Sequence, residues 1–224
     1  INLIDGVNGL SSGYCVMASG IFTIYFFYAD DITMVVLGLV CIGALLPFFI
    51  HNVFGETSRM FIGDGGTLVM GLVMSVFVTR VLEGAPINSF HAPEGMGLIP
   101  FTLSVLSIPV FDTLRVMGSR IWRGRSPFRP DKTHLHHLFI DVGFSHPGTT
   151  FCILTLNSLV VVAWWLLYLC GASVELQLYT VIFLGWLFTF GLYVSVRRLA
   201  KKGNVYRFLR RLAVWSHVER KGIY

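Results

Sequence analysis

Three polar clusters interrupt an otherwise apolar chain, and each carries side chains suited to phosphate chemistry. The first, Ile-Asn-Leu-Ile-Asp-Gly-Val-Asn-Gly-Leu-Ser-Ser-Gly from Ile1 to Gly13, sets Asn2, Asp5 and Asn8 three residues apart. In a helix that spacing puts a carboxylate and two amides on one face. Gly6 and Gly9 leave room for close backbone approach, although the same residues also read as an Asn/Asp/Gly turn entering a helix. The second cluster, Phe61-Ile62-Gly63-Asp64-Gly65-Gly66-Thr67, stands where an apolar run begins. The free amides of a helix N-terminus attract anions there. Asp64 would repel a bare phosphate, which points to a divalent cation between the two; the bland alternative is an N-cap.

The third cluster follows Asp112: Arg115, Arg120, Arg123 and Arg125, then Ser126-Pro127-Phe128-Arg129-Pro130-Asp131-Lys132-Thr133-His134-Leu135-His136-His137. Guanidinium groups grip phosphate oxygens with a planar fork of donors, and imidazoles add donors that are neutral or charged near pH 7. If residues 134–137 are helical, His134 and His137 share a face and His136 points elsewhere, which argues against three histidines on one zinc ion. The competing reading of the arginines is an ordinary positive-inside loop.

These clusters must be positioned by membrane helices. The chain has 224 residues, 54% apolar and only 13% charged, with a mean hydropathy of +0.71. A soluble domain would be nearer a quarter charged. The expected fold is all-α, a polytopic membrane helix bundle with about six transmembrane helices, over about 13–29, 32–50, 65–82, 97–111, 149–170 and 175–196. Pro100 and Pro109 mark the fourth as kinked or tilted. Beyond it, Val205, Phe208, Leu209 and Leu212 fall on one helical face with Arg207, Arg210 and Arg211 off it, the pattern of a C-terminal amphipathic interfacial helix on anionic lipid. The four cysteines, Cys15, Cys41, Cys152 and Cys170, sit in apolar runs without metal or redox spacing and read as small core residues.

Charge sets the orientation. Of 17 basic residues, Arg80 alone falls on one side when loops are assigned alternately. By the positive-inside rule, residues 1–12, 51–64, 112–148 and the basic tail 197–224 face the cytoplasm, and Asp30, Asp31, Glu83, Glu94 and Glu175 lie opposite. All three clusters then share one compartment, by a count that made no use of the first two. The same bias accounts for the net charge of +5 without a nucleic-acid partner.

With these residues in view, the chain resembles the polyprenyl-phosphate N-acetylhexosamine-1-phosphate transferase family. The resemblance rests on Asn2-Leu3-Ile4-Asp5-Gly6 with Gly9-Leu10, on Phe61-Ile62-Gly63-Asp64-Gly65-Gly66, and on Ser126-Pro127-Phe128 followed by His134-Leu135-His136-His137. It covers roughly residues 1–147; the last two spans match only in hydrophobicity. It implies an Mg²⁺-dependent transfer, with Mn²⁺ an alternative, from a UDP-N-acetylhexosamine to undecaprenyl phosphate, releasing UMP and starting a cell-surface polysaccharide such as O-antigen. The implied location is the bacterial inner membrane with the site facing the cytoplasm, and a homodimer is compatible with the family. By motif position Asp64 is the metal ligand and Phe61 stacks near the uracil, with Gly63 beside it. Asn2, Asp5 and Asn8 line the nucleotide pocket, and His134, His136, His137 and Arg120 contact phosphate and sugar. The single Leu between the histidines is like the GlcNAc-1-phosphate branch.

Two departures qualify this. Asn8 stands where the family usually has Asp. The family's paired-aspartate motif on an earlier cytoplasmic loop has no counterpart in residues 1–64, because Asp30-Asp31 falls across the membrane. Residues 1–196 are therefore expected to be the C-terminal part of a longer transferase domain, preceded by four or five spans and those acids, and the piece alone is expected to be inactive. The alternative function is an inactive membrane fragment or assembly subunit. A transporter would want midplane charges and paired repeats, and neither is present in the sequence.

Overall fold

The computed structural model describes residues 5–55, 60, 62–84, 95–128, 133–197 and 204–218, and all regular structure among them is helical. The long elements are α1 (Leu10–Tyr28), α2 (Ile32–Phe54), α3 (Gly63–Leu82), α7 (His146–Leu169) and α8 (Val174–Arg197), each long and apolar enough to cross a bilayer. A bent pair, α4 (Leu98–Val105) and α5 (Ser107–Trp122), supplies a sixth candidate crossing. Two shorter helices follow the pattern of the loops and tail: α6 (Leu135–Val142) and α9 (Asn204–Val218). The chain is thus a polytopic helical membrane bundle, as its composition requires.

Helix α1 is the axis of the described bundle. Leu10, Tyr14, Ala18, Phe22 and Phe26 recur at intervals of four and are all buried, so one face of α1 stays against protein along its whole length. From it an aromatic chain crosses the core: the Phe22 ring lies 5.5 Å from Phe77 of α3 and 5.8 Å from Phe101 of α4, and Phe101 lies 4.9 Å from Trp164 of α7. By contrast, Val40 of α2 and Leu68 and Leu72 of α3 are more than 60% exposed. In a bilayer such residues face lipid, which is as apolar as they are.

Helices α1 and α2 form a tight antiparallel hairpin. Its closeness depends on Gly38, where a Cβ would stand 2.0 Å from the Thr23 hydroxyl oxygen. At the hairpin turn Asp31 caps α2, accepting from the Met34 amide at 3.3 Å, and pairs with Arg80 at 2.7 Å. The one basic residue that charge counting leaves on the far side is therefore neutralised by an acid of that same side.

The fourth span departs most from expectation. It continues to Trp122 rather than ending near 111, so residues 112–122 are helix and not loop, and it bends by 76°. The break falls at Leu106 for an identifiable reason. Pro109 has no amide proton and its ring excludes the carbonyl of the residue four before it, Val105. That carbonyl instead accepts from the Tyr14 hydroxyl at 2.7 Å and the Asn157 side-chain amide at 2.9 Å. The Asn157 oxygen in turn accepts from the Ser107 hydroxyl at 3.1 Å and the Ile108 amide at 3.0 Å, capping the start of α5. One side chain of α7 thus splices both halves of the break, as backbone groups away from water require.

At the opposite end from the clusters, Gln177 does similar work. It accepts from the Gly97 amide and the Trp164 indole and donates to the carbonyls of Gly95 and Ala172, all within 3.2 Å. The tail helix α9 divides its apolar residues differently from the expected single stripe. Leu209 and Ala213 are buried, in a helix that packs on α6, α7 and the end of α8, while Phe208, Leu212 and Val214 remain outward.

Candidate active site

The first cluster opens as a turn, not a helix, over Asp5–Gly9, so a shared helical face for Asp5 and Asn8 does not form. Asn2 lies outside the described residues. The Asp5 carboxylate accepts from the Ser11 hydroxyl, tying the turn to the first residues of α1. Asn8 is 7% exposed and is held through its backbone: its amide donates to His146 Nδ1 at 3.4 Å and its carbonyl accepts from the Thr150 hydroxyl at 3.0 Å. Gly9 adopts φ +75°, and a Cβ there would stand 2.5 Å from Val53 of α2. Glycine is required at that position on both counts.

That contact also locates the second cluster. The Met60 amide donates to the Asn52 side-chain oxygen at 3.0 Å, next to Val53, and Asp64 is four residues further on, within about 14 Å of chain reach. Gly63 takes φ +70° at the start of α3, leaving Asp64 exposed in the first turn. Its carboxylate caps nothing and has no partner among the described residues, which removes the simple N-cap reading. Phe61 lies outside the described residues.

In the third cluster, α5 and α6 are joined by a polar node centred on Asp112, which is 3% exposed. One carboxylate oxygen accepts from Arg115 Nη2 at 2.6 Å and Nε at 3.2 Å; the other lies 2.9 Å from His134 Nδ1. The Leu135 amide donates to both oxygens at 3.2 Å, so Asp112 also caps α6. Arg115 reaches on to the Thr133 carbonyl at 2.6 Å and stacks over the Tyr193 ring of α8 at 4.0 Å. Arg120 is buried and donates to the Pro127 carbonyl, closing the start of the loop, whereas Arg123 and Arg125 are exposed.

The imidazoles stand differently from the expected helical faces, because α6 starts at Leu135 and His134 is extended at φ −63°, ψ 156°. That extra extended residue brings His134 beside His136 rather than His137. Their rings are parallel within 2°, with centroids 5.8 Å apart, and His137 adjoins His136 at 4.2 Å. His136 is 3% exposed; burial first, then the neighbouring imidazoles, push its pKa down to about 4. It is therefore a neutral ring at pH 7, and it lies against the first cluster: a Cβ on Gly6 would be 2.7 Å from its Nε2.

The structure thus brings Asp5–Gly9 and His134–His137 into contact, and chain reach puts Asp64 at the same end of the bundle. Sequence reasoning passed over Asp112, His146 and Thr150. The signal for Asp112 was present, since an acid at the edge of an apolar span is the argument that singled out Asp64. Among the described residues, no three His, Cys, Asp or Glu side chains converge as a metal-ligand set.

A helical membrane bundle with a polar cluster of acids and histidines at one end is the class these features define. Residues 1–82 match the model for glycosyl transferase family 4. The chain is 32% identical over 161 residues to the decaprenyl-phosphate N-acetylglucosaminephosphotransferase of Mycolicibacterium smegmatis, covering 65% of this chain and 38% of that protein. It is 27% identical over 148 residues to the undecaprenyl-phosphate alpha-N-acetylglucosaminyl 1-phosphate transferase of Yersinia pestis, covering 64% and 38%. To the Escherichia coli K12 protein of that same name it is 26% identical over 215 residues, covering 94% and 54%. Its first 82 residues are thus similar to glycosyl transferase family 4, and the relatives it matches are named as polyprenyl-phosphate N-acetylglucosamine-phosphate transferases. It spans between 38% and 54% of the length of these relatives. No solved structure matches it.

Proposed function

We propose that this chain forms part of an enzyme that transfers N-acetylhexosamine-1-phosphate from a UDP-sugar to undecaprenyl phosphate. UMP is the leaving product, and the lipid-linked diphosphosugar starts a cell-surface polysaccharide. The observation that carries this reading is the contact of the Asp5–Gly9 turn with the His134–His137 array, two polar segments more than a hundred residues apart in sequence. The relatives' names supply the substrate class. The site is proposed to face the cytoplasm from the bacterial inner membrane, supported by the basic-residue asymmetry and by the pairing of Arg80 with Asp31.

In the reaction an oxygen of the acceptor phosphate attacks the sugar-bound phosphorus, and the bond from that phosphorus to the UMP oxygen breaks. A phosphate monoester with a second pKa near ~6 is mostly a dianion at neutral pH, so a general base is helpful rather than essential. Alignment and charge neutralisation are the main demands. Arg123 and Arg125 offer exposed guanidinium groups, and the neutral His136 ring can accept or donate one hydrogen bond without adding charge. Asp64, exposed at a helix start and without a partner among the described residues, would hold a hard divalent cation through its carboxylate oxygens. Mg²⁺, or Mn²⁺ in its place, would supply charge compensation between the two anionic substrates.

The test uses protein expressed from its complete gene in membranes given radiolabelled UDP-GlcNAc. Asp64→Asn is expected to abolish the lipid-soluble product while leaving expression intact. Near-normal turnover by the purified variant removes Asp64 from the site, and absence of any product from the unaltered protein refutes the transferase reading.

A further inference from the structure

The carboxylate of Asp112 holds three consecutive residues at the end of the arginine loop. It takes the Nδ1 of His134 and the amide of Leu135 directly, and through Arg115 it reaches the carbonyl of Thr133. All of these lie 18 to 23 residues away in sequence. Because an ionised carboxylate only accepts, the proton of this contact belongs to His134 Nδ1. The other ring nitrogen, Nε2, makes no hydrogen bond among the described residues and is the one left for a substrate. We infer that Asp112 is a positioning residue, which fixes the ring orientation and the Nδ1-protonated tautomer of His134 so that its Nε2 faces the phosphoryl group being transferred. The tautomer assignment stands on geometry alone; the catalytic consequence rests on the proposed transferase reading.

Several features make this more than an ion pair that serves folding. A buried Asp–Arg pair would be complete with Arg115 alone, which already forks onto one oxygen. The second oxygen is spent on the imidazole and on the first amide of α6. The same helix then carries His136 and His137, so one side chain sets the origin of the whole array. Asp112 itself is rooted in the bundle, since α5 starts at the Asn157 splice four residues earlier. The position of His134 is therefore independent of the course taken by residues 123–132.

Two measurements test this. First, histidine ring nitrogens of the chain are ¹⁵N-labelled in detergent or nanodiscs, and the His134 signal is identified by its loss in His134→Gln. The expected result at neutral pH is a protonated Nδ1; a neutral ring with bare Nδ1 and protonated Nε2 overturns the inference without any variant at Asp112. Second, transfer is measured in protein from the complete gene for Asp112→Asn, His134→Ala and the double variant. Asp112→Asn is expected to lower kcat by roughly 10–100-fold, the usual cost of losing an orienting partner, with KM nearly unchanged. If Asp112 acts through His134, the double variant is no slower than His134→Ala. Losses that multiply, or a loss confined to KM, overturn the inference. A protonated Nδ1 in a protein that makes no lipid-linked product would leave the tautomer assignment standing and refute the transferase reading instead.

Discussion

Gly6 leaves the His136 ring its place: a methyl group at Gly6 would lie 2.7 Å from the ring's Nε2, closer than a side-chain carbon tolerates. Since His136 is buried and its neighbours are two further imidazoles, the ring cannot swing clear without disturbing them. Gly6→Ala is therefore expected to displace the array and slow transfer by roughly 100-fold, the scale of a misplacement near 1 Å. Gly118→Ala is the control, because nothing lies within 4 Å of a Cβ there; it should retain activity and add up to about 1 kcal/mol of helix stability. Equal rates for both variants would show that the Gly6–His136 contact is not required.

His136 gives a signed pH dependence. Its pKa falls from 6.5 to about 4 on folding, chiefly by burial and then by the adjacent imidazoles. The folded state thus prefers the neutral ring. This contribution is fully present above pH 6.5 and is lost as pH falls from 6.5 towards 4, on the order of 3 kcal/mol in all. The acid slope of stability should be shallower in His136→Gln over that window. An NMR titration placing the His136 midpoint near 6.5 in the folded protein would contradict the assignment.

On the far side of the bundle, Asp31→Ala should cost about 1–3 kcal/mol, since it removes both the cap of α2 and the nearer of Arg80's two acidic partners, leaving Glu83 at 3.5 Å. Arg80→Gln leaves the cap in place and should cost less. Unfolding titrations in mixed micelles would compare them, and the reverse order would argue that the ion pair outweighs the cap.

Asn157→Leu keeps the volume but strips the splice from the bent span. It strands the Ile108 amide, the Ser107 hydroxyl and one of the two bonds to the Val105 carbonyl. A loss of about 2 kcal/mol or more is expected from unsatisfied groups alone. Transfer should fall too, because Asp112 lies one turn along α5. A variant as stable and active as the unaltered protein would mean that α5 is held by other contacts.

The spans were legible because twenty-residue apolar runs leave few alternatives, and α1, α2, α3, α7 and α8 all overlap the expected ranges. The place of the break in the fourth span was not legible. Pro109 announces a disturbance, but Leu106 becomes the corner only because Tyr14 and Asn157, remote in sequence, take the freed Val105 carbonyl. The same holds for the histidines. Their identity and spacing were plain, while their geometry turned on one residue of helix register, which Asp112 decides by capping at Leu135. Positive charge on the loops was visible as a sum; that Arg115 and Arg120 are committed to carbonyls and Arg123 and Arg125 are exposed is a matter of tertiary contact.

The hold of His146 and Thr150 on the backbone of Asn8 constrains any attempt to trim or recombine this protein. Both partners sit on a helix whose sequence advertises only greasiness, beyond the stretch where recognisable motifs end. A chimera joined just after the histidines would keep all three polar clusters yet lose the stitches that shape the Asp5–Gly9 turn. Domain-swap junctions belong downstream of Asn157, so that the silent helix travels with the motifs it supports.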